Sequence, residues 1–298
     1  MWVRLKPEEI NEVIKTVNKN HGANYELLGH FDQGEWGAYR IAEPGNKPVV
    51  LKFFTNFSNT NIVDADPELA KNITNRLLSL EYPVPEYLYS GRTGNGLYWV
   101  QQELPGQPLW QNPTVEQIEK VLSFLLLQRN QAVSEKQNYS LIVKDTVFGN
   151  RLGGLKSIQN SSFEMQQFLS NLKRAVKDLE SLYLPITDIV HGDFSYHQVM
   201  VDNKGDITGI IDWQEAGCGD WLVDLARLIY SLHDRPHLVN PIIEYVRQED
   251  LPKIRLYTAF TTIEMLLWPV QQNQENVENA FNKAKSAVDF VFVKNCTY

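Results

Sequence analysis

The sequence predicts an α+β fold in two lobes, a β-rich N-terminal one followed by a mainly helical one. Three observations predict it. Residues 25 to 56 and 82 to 104 carry strand patterning broken by Pro and Gly turns, residues from about 115 carry helical spacing, and a polar hairpin at 189 to 217 interrupts the helices. At 298 residues the chain is long enough for one large domain or two closely packed lobes.

The first segment, "MWVRLKPEEINEVIKTVNKNHG", is charged and helix-patterned, with Gly22 as its stop. In "YELLGHFDQGEWGAYRIAEPGNKPVVLKFFTN" apolar and aromatic residues alternate with polar ones, "EPGNK" supplies a turn, and "VVLKFF" reads as a buried strand. Residues 64 to 80 return to helical spacing, with Leu69, Ile73, Leu77 and Leu80 on one face and Asp66-Pro67 at the start. "YPVPEYLYSG" and "GLYWVQQEL" are two further strands, and "LPGQP" closes the lobe at residues 105 to 108, which divides the chain into 1–104 and 105–298. Helices are expected over about 115 to 132 and 163 to 183, separated by a Gly-containing, poorly periodic stretch, and again from about 221 onward.

Composition narrows the function. Twenty-eight Lys and Arg stand against 36 Asp and Glu, and no basic run offsets the net charge of -8, so neither nucleic acid nor an anionic membrane is expected as a partner. The two cysteines, Cys218 and Cys296, build neither a zinc site nor a disulfide framework. The N-terminus lacks the apolar core of a signal peptide, and no run of about 18 uncharged apolar residues occurs. A cytoplasmic, soluble protein is expected.

The chemistry concentrates in "IVHGDFSYHQVMVDNKGDITGIIDWQEAG", residues 189 to 217. "VMVD" and "ITGIIDW" are strand-like runs joined by the turn-forming "NKGD". Pairing about position 205 sets Gln198 opposite Asp212, with Asp193 on the approaching loop within reach of the same point. One carboxylate and one amide oxygen suit a hard cation such as Mg²⁺, which leaves coordination positions for phosphate oxygens. A second carboxylate beside it can accept a proton from a hydroxyl. Turn capping alone accounts for either Asp singly, but less readily for both, flanked by His191-Gly192 and by Trp213.

Glycines 29, 34 and 37 precede a strand, where glycine lets backbone N–H groups approach phosphates. If strands 37 to 42 and 48 to 54 pair about Gly45, Lys52 lies opposite Ala38 beside that loop, placed to meet α- and β-phosphates.

"HGDFSYHQVMVDNKGDITGIIDWQEAGCGDWLVDLA" resembles the catalytic core of the aminoglycoside phosphotransferase and choline kinase superfamily, in texture the hygromycin-type antibiotic kinases. The resemblance implies a bilobal protein-kinase-like fold, with residues 1–104 as the nucleotide-binding lobe and 105–298 holding the catalytic loop and acceptor pocket. It makes Asp193 the catalytic base and Asp212 a metal ligand, and it gives His191 a structural part. Gln198 occupies a position where the family has a metal-binding Asn, so the same amide oxygen sits on a longer stem. Gly34, Gly37 and Lys52 would bind nucleotide, Glu68 would hold Lys52, and backbone around Gln102 to Leu104 would bind the base. His197, Glu215, Glu264 and Trp268 are candidates for the acceptor, the acids for amino groups and the indole for ring stacking. Asp220 and Asp224 read as helix caps or braces.

The expected activity is an ATP- or GTP-dependent, Mg²⁺-requiring transfer of phosphate to a hydroxyl of a small molecule, an aminoglycoside-like antibiotic or a related amino-bearing metabolite. Because of Gln198 the alternatives stay open: a nucleotide-binding pseudokinase acting as a regulatory module, or a kinase for another natural product.

Overall fold

A computed structural model describes residues 6–31, 37–55, 66–94, 96–109, 113–149, 154–271 and 276–294. Helix α1 (Pro7–His21) opens on a capping box in which Lys6 N–H donates to Glu9 (2.7 Å), and it ends at Gly22, whose φ of 65° only glycine adopts without penalty. Its Ile10, Ile14 and Val17 are buried against the first sheet.

That sheet is antiparallel, with strands β1 (Glu26–His30), β2 (Gly37–Ala42), β3 (Val49–Thr55), β4 (Tyr87–Thr93) and β5 (Gly96–Gln102) in the order β1-β2-β3-β5-β4. Ala38 pairs with Lys52, the register the Gly45 turn predicts. Helix α2 (Pro67–Leu78), capped by Asp66 through Glu68 N–H (3.1 Å), buries Leu69, Ile73 and Leu77 in the larger core on the sheet's other face.

After Gln102 the chain leaves this sheet and forms β6 (Gln107–Pro108), which pairs with β8 (Val199–Val201); β8 pairs in turn with β9 (Ile207–Ile210). Gly106 makes the crossing possible: its φ is 102°, and a Cβ there would lie 2.2 Å from the Val201 carbonyl. Helices α3 (Val115–Leu127), α4 (Tyr139–Val147), α5 (Gly154–Gln159) and α6 (Phe163–Ala175) follow, then β7 (Asp188–Val190), which pairs with β10 (Gly217–Gly219). The chain continues through α7 (Leu222–Leu232), α8 (Pro236–Glu244), α9 (Leu251–Gln271) and α10 (Val277–Asp289). The buried α9 is the centre of this half, packing against α4, α5, α7 and α10.

Three expectations need correction. The stretch between the helices at 115 and 163 contains α4 and α5, each too short to develop a legible apolar period. The helix expected to reach 183 stops at Ala175. In the hairpin, Val199 pairs with Ile210 and the Gln198 carbonyl accepts from Ile211 N–H (2.9 Å), so Gln198 faces Ile211 and not Asp212. An irregularity at Met200/Val201 shifts the register, and the Asp202 carboxylate pins the turn by accepting from Lys204 and Asp206 N–H (2.8 and 3.0 Å). No helix among the described residues is long and apolar enough to cross a membrane.

Candidate active site

The loop after β7 is held by a buried carboxylate. Asp224, fully enclosed in the first turn of α7, accepts from His191 N–H (2.7 Å), Gly192 N–H (3.0 Å) and Gln128 Nε2 (2.9 Å). His191 Nε2 meets the Ile211 carbonyl (2.8 Å), and its Nδ1 accepts from Asp193 N–H (3.3 Å). One ring thus ties the segment bearing Asp193 to the strand end that presents Asp212. Gly192 has φ 88°, and a Cβ there would strike Tyr139 Oη at 1.7 Å, so the turn that aims Asp193 needs glycine.

Asp193 and Asp212 open into one cleft of about 940 Å³ between the first sheet and the helical half. Buried Lys52 is ion-paired with Asp212, and its Nζ reaches Gln214 Oε1 at 3.4 Å. Asp212 itself sits in the left-handed region (φ 75°), which turns its side chain away from the strand's own pleat. Gln198 reaches the cleft one residue out of register, and its Oε1 accepts from Ser195 Oγ.

The other end of the cleft is built around Arg227, only 4 % exposed, whose guanidinium pairs with Glu264 and approaches Asp193 Oδ1 at 3.5 Å. Asp193 keeps 47 % of its side-chain surface open to the cleft. Desolvation nevertheless holds its carboxyl above the ordinary range, against the pull of Arg227 and His191. Glu215 is pushed up to about 8, first by desolvation and then by the negative charges of Asp193 and Glu264. A desolvated carboxyl beside like charges gains most from an arriving cation or proton.

The model of the phosphotransferase enzyme family matches residues 34–257. The chain belongs to that family. Its members are small-molecule kinases that transfer phosphate to hydroxyl groups. By fold it is similar to a thermostable mutant of aminoglycoside phosphotransferase APH(4)-Ia solved with ADP and hygromycin B, at 16 % identity and a TM-score of 0.68, covering 96 % of this chain and 99 % of that one. It is similar also to the choline kinase LicA of Streptococcus pneumoniae (16 % identity, TM-score 0.64, covering 95 % and 99 %). A third similar structure is the GDP complex of aminoglycoside 2'-phosphotransferase-IIIa (17 %, 0.61, 95 % and 99 %). No curated protein matches the chain by sequence.

In this phosphotransferase most residues singled out from sequence gather at the cleft. Lys52, Gln102, Leu104, Asp193, His197, Gln198, Asp212, Glu215, Glu264 and Trp268 all line it. Gly37 begins β2 beside the lining residue Ala38, and Gly34 lies outside the described residues. Glu68 is the exception: it is exposed on α2 and accepts from Ser90 Oγ (2.8 Å), whereas Lys52 has turned to Asp212 and Gln214. The first turn of α2 points Glu68 outward because Leu69 and Ala70 take the buried face.

Sequence reasoning missed Arg227, although an Arg within the apolar run "LVDLARLIY" was a visible signal that a buried charge had a partner. It also missed Gln128, which joins Tyr82, Ile189 and Asp224 in one buried network. Gln101, buried at the cleft with its Oε1 unpartnered among the described residues, carried no signal, since nothing in an isolated strand says which Gln faces a ligand.

Proposed function

We propose that the chain transfers the γ-phosphate of ATP or GTP to a hydroxyl of a small amino-bearing acceptor, an aminoglycoside-like antibiotic or a related metabolite, in a cytoplasmic setting. The observation that carries this reading is the placement of Asp193 and Asp212 in one cleft, one beside buried Arg227 and the other on Lys52. The nucleotide would lie between the two lobes, 1–104 and 105–298, with its base near Gln102 to Leu104. The amide of Gln101 can donate to a guanine carbonyl or accept from an adenine amino group, which supports either donor equally.

Lys52 would exchange Asp212 for the α- and β-phosphates. Asp212 and Gln198 are the residues that would hold Mg²⁺. Their oxygens fit a hard cation that takes few protein ligands, and the second lone pair of Gln198 Oε1 remains for it beside the Ser195 bond. Among the described residues no group of three His, Cys, Asp or Glu offers another metal site. Mg²⁺, when bound, supplies charge neutralisation on the phosphates.

Asp193 accepts the hydroxyl proton as the acceptor oxygen bonds to the γ-phosphorus and the bond from that phosphorus to the β,γ-bridging oxygen breaks, releasing the nucleoside diphosphate. Its raised proton affinity favours that role, and Arg227 orients it. Glu215, which makes no ion pair among the described residues, would meet an ammonium of the acceptor, while Glu264 is already engaged by Arg227. Trp268 lines the same end and offers a face for ring stacking.

The test is nucleoside diphosphate release and acceptor mass shift across a panel of amino-bearing alcohols with ATP and GTP. Asp193→Ala is expected to lower kcat by about 10² to 10⁴; unchanged turnover in that variant overturns the assignment.

A further inference from the structure

The cleft is not uniformly acidic. His197 and Lys283 line the same cleft as Asp193, and Arg235 stands behind them, stacked over Tyr196 at 5.4 Å while the His197 ring meets that tyrosine edge-on at 4.2 Å. Lys283, projecting from α10, lies 5.8 Å from the Tyr230 ring, which also faces the cleft. Burial first, and then the nearby charges of Lys283 and Arg235, lowers the proton affinity of His197; burial first, with Arg235 set against Asp234, lowers that of Lys283.

Among the described residues little balances Lys283 and Arg235. Asp234, exposed between α7 and α8, is the acid that acts on Lys283, and neither Lys283 nor Arg235 makes an ion pair among the described residues. Arg235 Nη1 is enclosed with no acceptor among the described residues. Converging basic groups repel one another, and a desolvated guanidinium N–H without an acceptor is costly to bury. In a chain of net charge -8, acids were available to neutralise such a cluster. Its persistence on the wall of a ligand cleft is accounted for by an anion that arrives with the ligand.

We infer that the acceptor carries, besides its hydroxyl, an anionic group, a carboxylate or a phosphate, which His197 and Lys283 contact and Arg235 supports from behind. The inference rests on the phosphotransferase reading above and narrows its acceptor. With both Glu215 and Lys283 lining the cleft, the site is matched to an amphoteric molecule, which narrows the proposed acceptor to its amino-bearing metabolite arm. Asp193 lines the same cleft as both.

Two matched acceptor pairs test this, each differing by one anionic group: ethanolamine against serine for the carboxylate, and glucosamine against glucosamine 6-phosphate for the phosphate. In steady-state assays of the full chain with saturating nucleotide and Mg²⁺, the anionic member of at least one pair is expected to have a kcat/KM at least about tenfold higher. Which pair responds identifies the source of the anion. Lys283→Gln should shrink that ratio toward one through KM of the acceptor, leaving the ratio of nucleotide KM values between wild type and variant near one.

Equal or better use of the uncharged members, a ratio indifferent to Lys283→Gln, or an effect confined to nucleotide KM overturns the inference while leaving the kinase reading intact. If none of the four is phosphorylated, isothermal titration of each onto the protein loaded with a non-hydrolysable nucleotide and Mg²⁺ decides separately. Tighter binding of an anionic member, lost in Lys283→Gln, upholds the site even where transfer fails. No difference within either pair overturns it.

Discussion

Asp224→Asn is the substitution whose consequences the structure specifies most fully. Asp224 Oδ2 accepts from His191 N–H and Gln128 Nε2, and Oδ1 from Gly192 N–H, all within 3.0 Å and out of contact with water. An amide supplies only one oxygen. If that oxygen keeps the first pair of donors, the new NH₂ confronts Gly192 N–H, donor against donor, and the remaining bonds lose their ionic character. Each unmet buried donor costs about 1–3 kcal/mol, and charge-assisted bonds are about twice as strong as neutral ones, so a total of roughly 3–5 kcal/mol is expected. For a chain of this size, at about 2.1 cal/mol/K of unfolding entropy per residue, that corresponds to a fall in Tm of about 5–8 °C. Because Gly192 precedes Asp193, a displacement of about 1 Å there should also reduce kcat by about 10². Thermal melts and nucleoside diphosphate release read the two effects. Asp220→Asn serves as the control: its buried carboxylate holds Lys253, Tyr257 and Leu222 N–H, with no bond to the Asp193 loop, so it should lose stability without a matching loss of kcat. Asp224→Asn with wild-type Tm and kcat, or with the same kcat loss as Asp220→Asn, refutes the bracing role.

Three further outcomes are expected. Lys52→Met should raise the nucleotide KM by about tenfold or more while leaving acceptor KM nearly unchanged, because in the proposed reading buried Lys52 exchanges Asp212 for the phosphates; equal effects on both KM values would contradict it. Gln198→Asn moves the amide oxygen back by one methylene, so the Mg²⁺ concentration giving half-maximal rate should change by several-fold in titrations of the variant against wild type, whereas an identical Mg²⁺ dependence removes Gln198 from the metal site. Glu215, with a folded value of about 8 against an ordinary 4.5, binds a proton more tightly in the folded chain. Stability from this group is therefore full below about pH 4.5 and is lost as pH rises to about 8, so Glu215→Gln should flatten the decline in Tm between pH 6 and 8.5; parallel profiles would show that Glu215 is not so perturbed.

Much of the architecture is legible in the chain because it rests on local periodicity and turn chemistry. The alternation in "VVLKFF", the Gly45 turn and the Asp66-Pro67 start lead to β3, the Ala38–Lys52 register and α2. The hairpin at 199–210 is also legible, yet its register is not: a single irregularity at Met200/Val201 shifts Gln198 from Asp212 to Ile211, and no local pattern announces where a ladder slips. Helices α4 and α5 escape for a related reason, since nine and six residues, about two and a half and under two turns, are too few for an apolar repeat to stand out.

The sequence by itself determined which chemistry this protein owns: two carboxylates flanking a hairpin, a lysine on a buried strand, a glycine-containing turn and an excess of acid over base. Those are properties of residue type and near spacing. Only the tertiary structure decided who partners whom. Lys52 takes Asp212 and not Glu68, because Leu69 and Ala70 claim the inner face of α2. Arg227 finds Asp193 and Glu264 across 34 and 37 positions of sequence. Asp224 turns from a helix brace into the support of the loop that carries Asp193. His197, Arg235 and Lys283 converge from a 3-10 turn, a helix cap and α10. Electrostatic coupling depends on distance and desolvation, and both come into being only when segments remote in the chain are packed together.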